Sequence, residues 1–166
     1  SDHSRELTYV QLSLNGSNLA NFLKKKGVNK GDRLALIAFN CIEFAEIIFA
    51  SSKLEAILLP INFRLSIEEI IDIFEDSNPG FFIYQKNFSI ISEELIKKKY
   101  IDKNRCLLFN SNDQEKCMYY NIINDSDYVE KLKYSQNTSL DWSLMYTSGT
   151  TGKPKGVVGN EKSYLL

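Results

Sequence analysis

Residues 145–158 have the sequence Met-Tyr-Thr-Ser-Gly-Thr-Thr-Gly-Lys-Pro-Lys-Gly-Val-Val. Three glycines and four serine or threonine residues follow the apolar run Leu144 to Tyr146, and an apolar pair of valines closes the stretch. Glycine lets the backbone approach an anion closely, hydroxyl groups add hydrogen-bond donors, and Lys153 and Lys155 supply compact positive charge. The segment therefore predicts a loop that can surround a polyphosphate from several sides.

Other interpretations of this segment are open from the residues alone. A Gly/Thr/Ser-rich stretch between two strands is usually a mobile hairpin loop. A P-loop NTPase is disfavoured, because Gly149 is not followed at the required distance by Gly-Lys-Ser/Thr. Over the whole length from Tyr146 to Gly156, the segment resembles the glycine-rich loop of the adenylate-forming superfamily. That superfamily comprises acyl-CoA synthetases, peptide-synthetase adenylation domains and luciferases.

The resemblance extends over essentially the whole chain. Residues 7–12, 27–33 and 60–65 are similar to the family's Leu-Thr-Tyr-x-x-Leu, Gly-Val-x-x-Gly-Asp-Arg and Pro-x-Asn-x-Arg-Leu motifs. The last of these is typical of the acyl-CoA synthetase branch, whereas peptide-synthetase domains more often carry aspartate where Asn62 stands. The resemblance thus favours a fatty or related acyl-CoA ligase, with a peptide-synthetase adenylation domain as the alternative. Without the family, Asn62 and Arg64 predict an ordinary strand-to-helix turn with a structural role.

Capped helices alternate with buried apolar runs along the chain. Capping boxes at Thr8–Gln11, Asn40–Glu43 and Ser66–Glu69 predict the starts of three helices. A fourth helix is predicted over 89–100, and strands are predicted over 33–39, 56–61, 81–84, 105–110 and, more weakly, 118–123. This alternation predicts an α/β fold with a mostly parallel twisted sheet and helices on both faces. The resemblance identifies it with the first subdomain of the large N-terminal domain of adenylate-forming enzymes.

Composition and charge exclude several other classes of protein. The 166 residues, 43% hydrophobic and 25% charged, are typical of one soluble globular domain. A net charge of -1 gives no electrostatic footprint for nucleic acid or an anionic membrane. Three cysteines and a single histidine make a zinc site or a cysteine–histidine catalytic pair improbable. No apolar run is long enough to span a bilayer and no signal-peptide pattern is present, which favours a cytoplasmic protein.

The resemblance implies an ATP-dependent ligase that adenylates a carboxylic acid, releases pyrophosphate and passes the acyl group to coenzyme A. ATP and coenzyme A are then substrates together with the acid, and Mg²⁺ is the implied cofactor, with its ligand outside this chain and no metal ligand within it. The implied polyphosphate site comprises Thr147, Ser148, Gly149, Thr150, Thr151, Gly152, Lys153 and Lys155. No membrane span and no nucleic-acid partner are expected.

The chain departs from the family pattern at its C-terminal end. Many relatives carry Thr-His after the equivalent of Val158, but here Gly159 and Asn160 follow. The family's acyl pocket, ribose-binding aspartate, hinge and catalytic lysine would all lie beyond Leu166. Residues 1–166 are therefore interpreted as a partial, truncated nucleotide-binding domain that is inactive alone. The alternative is a stand-alone, non-catalytic phosphate-binding domain, and the acid, the acceptor and the oligomeric state stay open.

Overall fold

The computed structural model describes residues 6–110, 117–125, 140–147 and 154–160. The helices are α1 (Tyr9–Lys25), α2 (Ile42–Leu54), α3 (Ile67–Ser77), α4 (Ser89–Lys97) and α5 (Met118–Ile123). The strands are β1 (Arg33–Ile37), β2 (Ile57–Pro60), β3 (Phe81–Gln85), β4 (Cys106–Phe109), β5 (Asp141–Thr147) and β6 (Lys155–Asn160). Short 3₁₀ turns cover Lys86–Phe88 and Lys103–Arg105.

The strands form one six-stranded sheet in the order β4-β3-β1-β2-β5-β6. The central strand β1 pairs in parallel with both neighbours, so that Leu34 lies opposite Leu58 on β2 and Phe81 on β3. Strand β5 is parallel to β2, and only β6 is antiparallel, paired with β5. The predicted, mostly parallel sheet is confirmed.

Helices cover both faces of this sheet, as predicted. Leu34 and Leu36 belong to a buried cluster with residues of α1, α2 and α5. Ala35 and Ile37, which point to the opposite face, belong to a second cluster with residues of α3 and α4. All four side chains are fully buried. Burial on both faces explains why β1 is a continuous apolar run rather than an alternating one.

Two of the three predicted capping boxes are confirmed. The Thr8 hydroxyl accepts from the amide of Gln11 at 3.2 Å, and the Gln11 side chain accepts from the amide of Thr8 at 2.9 Å. Ser66 and Glu69 form the same reciprocal pair at the start of α3. Both motifs lie within a few residues of chain and face solvent, so no distant contact competes with them.

The capping box predicted at Asn40 and Glu43 is wrong. Helix α2 begins one residue later, with Cys41 at the N-cap and no side-chain capping bond. Glu43 is buried and accepts from the Tyr120 hydroxyl at 2.7 Å. A hydrogen bond between distant parts of the chain has displaced the local one.

The strand predicted over 118–123 is also wrong, because these residues form helix α5. Met118 and Asn121 are exposed, and the residues buried between and after them are Tyr119, Tyr120, Ile122 and Ile123. This spacing of three and four residues is helical, whereas a strand would bury alternate positions. The spacing of Tyr9, Leu12, Gly16, Leu19 and Leu23 also predicts an apolar stripe on α1, but Tyr9 is 87% exposed.

Predicted element ends differ from the observed ends by a few residues. Strand β1 ends at Ile37 rather than Phe39, whose amide donates to the side chain of Gln85 at 3.0 Å. Helix α4 ends at Lys97 rather than Tyr100, because Lys99 adopts a left-handed conformation with φ 63°.

No helix in the described ranges is long and apolar enough to cross a membrane.

Candidate functional site

The predicted polyphosphate loop connects the two strands of the β5–β6 hairpin. The final residue pair of the hairpin is Thr147 opposite Lys155, preceded by Tyr146 opposite Gly156. The structure thus brings two predicted site residues together, one on each strand, and both are exposed. The other predicted site residues lie outside the described residues: Ser148, Gly149, Thr150, Thr151, Gly152 and Lys153.

The mouth of this hairpin is the end formed by Thr147 and Lys155. It lies at the carboxyl edge of the parallel sheet, which is the edge at which the parallel strands end. Ser143 on β5 is opposite Leu58 on β2, and the two strands run in the same direction. Thr147 therefore follows the last residues of β2 beyond the edge where β1, β2 and β3 all end. Ligands of open α/β sheets bind outside the carboxyl ends of the strands. The fold places the hairpin mouth where such a ligand is expected.

The charge at the hairpin mouth suits an anion. Lys155 is exposed, and within the described ranges no carboxylate lies at ion-pair distance from it. The Thr147 hydroxyl on the paired strand adds a group that can donate a hydrogen bond. These two side chains can contact neighbouring oxygens of one polyphosphate, since paired residues of an antiparallel hairpin lie about 5 Å apart.

Tyr146, the residue before Thr147, is held by a contact that the sequence analysis missed. Its hydroxyl donates a hydrogen bond to the carboxylate of Asp76 in the last turn of α3. Burial, and then the hydrogen bond to Asp76, raises the pKa of Tyr146 to about 12. The phenol is therefore neutral near pH 7 and remains a donor. A sequence signal existed, because a carboxylate in the last turn of a helix opposes the helix dipole and needs another stabilising partner.

The segment after β2 also reaches the carboxyl edge. The side chain of Asn62 accepts from the amide of Arg64 at 3.0 Å, which makes the predicted structural turn. The Arg64 guanidinium lies 5.7 Å from the centre of the Phe63 ring. Phe63 in turn packs edge-on against Phe39 at 4.9 Å, and Phe39 contacts Phe88 at 5.0 Å. This aromatic cluster lies along the carboxyl edge of the sheet and was not predicted from the sequence.

A surface cleft of about 370 Å³ lies at the opposite edge of the sheet. Its lining includes Asp32, Gly80 and Arg105, which immediately precede or adjoin the starts of β1, β3 and β4. The cleft is therefore remote from the hairpin mouth. Within the described part of the chain, no group of three or more histidine, cysteine or acidic side chains could hold a metal ion.

The family comparison matches almost the entire chain. Residues 1–165 match the model of the AMP-binding enzyme family. A similar curated protein is the 3-oxocholest-4-en-26-oate–CoA ligase of Rhodococcus rhodochrous, 28% identical over 157 residues, which are 93% of this chain and 28% of that protein. A fatty acid–[acyl-carrier-protein] ligase of Streptomyces coeruleorubidus is 28% identical over 161 residues, 97% of this chain and 29% of that protein. The chain spans less than a third of the length of these relatives.

A solved structure supports the same conclusion. The anthranilate CoA ligase in complex with anthranoyl-AMP superimposes with a TM-score of 0.82 and 25% sequence identity, covering 98% of this chain and 30% of that one. The match in three dimensions includes the parallel sheet with helices on both faces, and the family match spans the loop that the β5–β6 hairpin carries. The chain belongs to the AMP-binding, adenylate-forming family of enzymes, and within it is similar to the acyl-CoA ligases.

Proposed function

We propose that this chain is the first, partial nucleotide-binding domain of a longer ATP-dependent acid–thiol ligase. The observation that carries the proposal is the β5–β6 hairpin, which presents Thr147 and Lys155 side by side at the carboxyl edge of the sheet. The family match across residues 1–165 supports the same reaction class. The acyl pocket, the ribose anchor and the lid with its catalytic lysine are proposed to lie outside this chain.

The proposed reaction has two steps. A carboxylate oxygen attacks the α-phosphorus of ATP, the bond to the bridging oxygen of the pyrophosphate breaks, and an acyl adenylate forms. The sulfur of a thiol then attacks the acyl carbon, the bond from that carbon to the AMP oxygen breaks, the thiol proton is released to solvent, and a thioester and AMP form. In the first step negative charge grows on the leaving pyrophosphate, where pre-placed hydrogen-bond donors lower the barrier.

Thr147 and Lys155 are the described residues proposed to bind this leaving group. The ammonium group of Lys155 supplies charge and the hydroxyl of Thr147 supplies a neutral donor. A charge-assisted hydrogen bond of this kind contributes about 1.5–3 kcal/mol. The remaining donors of the proposed site are Ser148, Gly149, Thr150, Thr151, Gly152 and Lys153.

Mg²⁺ bound to the phosphates would neutralise charge on their oxygens. The donors on the described strands fit the phosphates rather than the metal, because a hydroxyl and an ammonium group are not the carboxylate oxygens that Mg²⁺ prefers. We therefore place the acidic metal ligand in the remainder of the longer protein.

The proposed substrates are a fatty or related carboxylic acid, ATP and coenzyme A. The similar proteins support an acyl acid, since one is named for a steroid carboxylate and another for a fatty acid. They differ in the acceptor, which is coenzyme A in the first name and an acyl-carrier protein in the second. Coenzyme A is the acceptor we propose, and a cytoplasmic location is consistent with these substrates.

The test is acid-dependent exchange of labelled pyrophosphate into ATP, measured with the full-length protein and a panel of carboxylic acids. We expect exchange with at least one acyl acid, and a loss of roughly tenfold or more in Lys155→Ala, as for removal of one charge-assisted contact. Lys103→Ala is the matched control, because Lys103 is an exposed lysine near the opposite edge of the sheet. Equal rates of pyrophosphate exchange in Lys155→Ala and Lys103→Ala would contradict the proposed site. Phosphate binding without exchange would favour a non-catalytic domain.

A further inference from the structure

Asp76 on helix α3 is connected to the candidate site across 70 residues of sequence. Its carboxylate accepts the hydrogen bond of the Tyr146 hydroxyl. Tyr146 stands one residue before Thr147 and directly opposite Gly156, which itself follows Lys155. The side chain of Tyr146, next to the hairpin mouth, is therefore hydrogen-bonded to helix α3 on one face of the sheet.

The end of α3 that carries Asp76 is itself tightly held. The Arg33 side chain, at the start of β1, donates to the carbonyl oxygens of Ser77 and Asn78. The Ser77 hydroxyl donates to the carbonyl of Ile73 at 2.5 Å, and the Asn78 amide donates to that of Phe74 at 2.9 Å. The two bonds from Arg33 join the helix end to the central strand, and the other two lie within the end of α3. The backbone that carries Asp76 is thus held in place.

Gly156 leaves the space that the Tyr146 ring occupies. A Cβ atom at Gly156 would lie 3.1 Å from Cζ and 3.3 Å from the hydroxyl oxygen of Tyr146. These separations are tighter than almost all ordinary contacts of a Cβ atom. The ring therefore lies across the hairpin at its last pair but one, between β6 and α3.

We propose that Asp76 is a positioning residue for the polyphosphate site, holding the Tyr146 hydroxyl and thereby fixing the hairpin mouth relative to the sheet. This inference deepens the proposed function and rests on it. Thr147 directly follows Tyr146, and Lys155 directly precedes Gly156, which pairs with Tyr146 across the hairpin. Loss of the Asp76 contact therefore lets both donors move together. A small displacement of positioned donors is enough to weaken their effect on a reacting group.

The raised pKa of Tyr146 is consistent with this role. The neutral phenol donates to Asp76 over the whole range in which the enzyme would work. Glu75 is the natural control, because it precedes Asp76 on the same helix and is also an exposed carboxylate, yet makes no hydrogen bond or ion pair to the described residues.

The test uses the full-length protein and the variants Asp76→Ala, Tyr146→Phe, their combination, and Glu75→Ala. We expect KM for ATP to rise about tenfold in either single variant, because Thr147 and Lys155 are then displaced from the phosphates; tenfold corresponds to about 1.4 kcal/mol of ATP binding. KM for the acid should stay within about twofold, and the double variant should be no worse than the single ones. Glu75→Ala should match the wild type. A general weakening of the fold would not separate the two KM values in this way.

Amide hydrogen exchange on the same proteins gives a second measurement that needs no activity. Residues 144–147 and 155–158 should exchange faster in Asp76→Ala and in Tyr146→Phe, but not in Glu75→Ala. The Tyr146→Phe protein keeps the ring and its packing. Amide hydrogen exchange equal to that of the wild type in this protein would overturn the positioning role. If the wild type shows no acid-dependent pyrophosphate exchange, the proposed function fails. The hydrogen-exchange result then still decides whether Asp76 fixes the hairpin.

Discussion

Replacement of Gly16 by alanine tests how closely helices α1 and α2 must approach. A Cβ atom at Gly16 would lie 2.7 Å from the Cβ atom of Phe49 and 3.4 Å from the amide nitrogen of Ala50. Phe49 cannot turn this atom away, because Cβ is fixed to the backbone. The helices must therefore separate by about 0.7 Å to reach an ordinary contact, and such overpacking costs about 1–3 kcal/mol.

Two further effects of the Gly16→Ala change act in opposite directions. Alanine favours a helix over glycine by about 1 kcal/mol. Separation of the helices also lengthens the buried hydrogen bond from Asn15 to Glu46, which is 2.7 Å long and joins α1 to α2. Losing a bond to a buried carboxylate costs about 1.5–3 kcal/mol. With all three effects combined, the net expectation is a loss of about 1.5–5 kcal/mol in the free energy of unfolding.

Urea unfolding of the 166-residue chain, followed by circular dichroism, measures this loss. The matched control is Gly80→Ala, because a Cβ atom at Gly80 would meet nothing closer than 3.9 Å and its φ is not positive. That variant should stay within about 0.5 kcal/mol of the wild type or gain slightly. A Gly16→Ala protein as stable as the wild type would show instead that helix propensity outweighs the close approach of α1 and α2.

Three other outcomes are expected. Ser66→Ala should lower the free energy of unfolding by about 1 kcal/mol in the same urea assay, because it removes the capping hydroxyl of α3. Tyr120→Phe should cost about 1–3 kcal/mol by leaving the buried carboxylate of Glu43 without this donor. Burial raises the pKa of Cys41 from 9.0 to about 12, so its alkylation at pH 8 should be much slower in the folded than in the urea-unfolded chain. The buried neutral thiol of Cys41 contributes fully to the free energy of unfolding below pH 9, and this contribution is lost as the pH rises toward 12.

Elements whose determining contacts are local were predicted correctly from the sequence. The capping boxes at Thr8 and Ser66 involve residues three positions apart, and the apolar runs of β1 and β3 are buried by any layered α/β arrangement. It failed at Asn40, because Glu43 bonds to Tyr120, a residue 77 positions away. That partner could be identified only once the fold had brought α5 against α2.

In the candidate site, too, residues that act through local sequence were predicted and residues that act through long-range contacts were not. Thr147 and Lys155 were predicted as site residues because glycines, hydroxyl residues and lysines together in one loop indicate anion binding. The hairpin register places these two residues opposite each other. Asp76 was not predicted, since its role depends on the packing of α3 against β5. The aromatic cluster at Phe39 and Phe63 likewise depends on three separate segments meeting at one edge of the sheet.

In the proposed reaction, the full-length protein activates an acid by attack of a carboxylate oxygen on the α-phosphorus of ATP. An isotope experiment tests this step: a carboxylic acid labelled with ¹⁸O in both carboxyl oxygens is incubated with the protein, coenzyme A and ATP, and the products are analysed by mass spectrometry. Attack at the α-phosphorus transfers one labelled oxygen to AMP when the thioester forms. We predict AMP carrying one ¹⁸O atom and unlabelled pyrophosphate. Unlabelled AMP, or label in inorganic phosphate, would contradict the account.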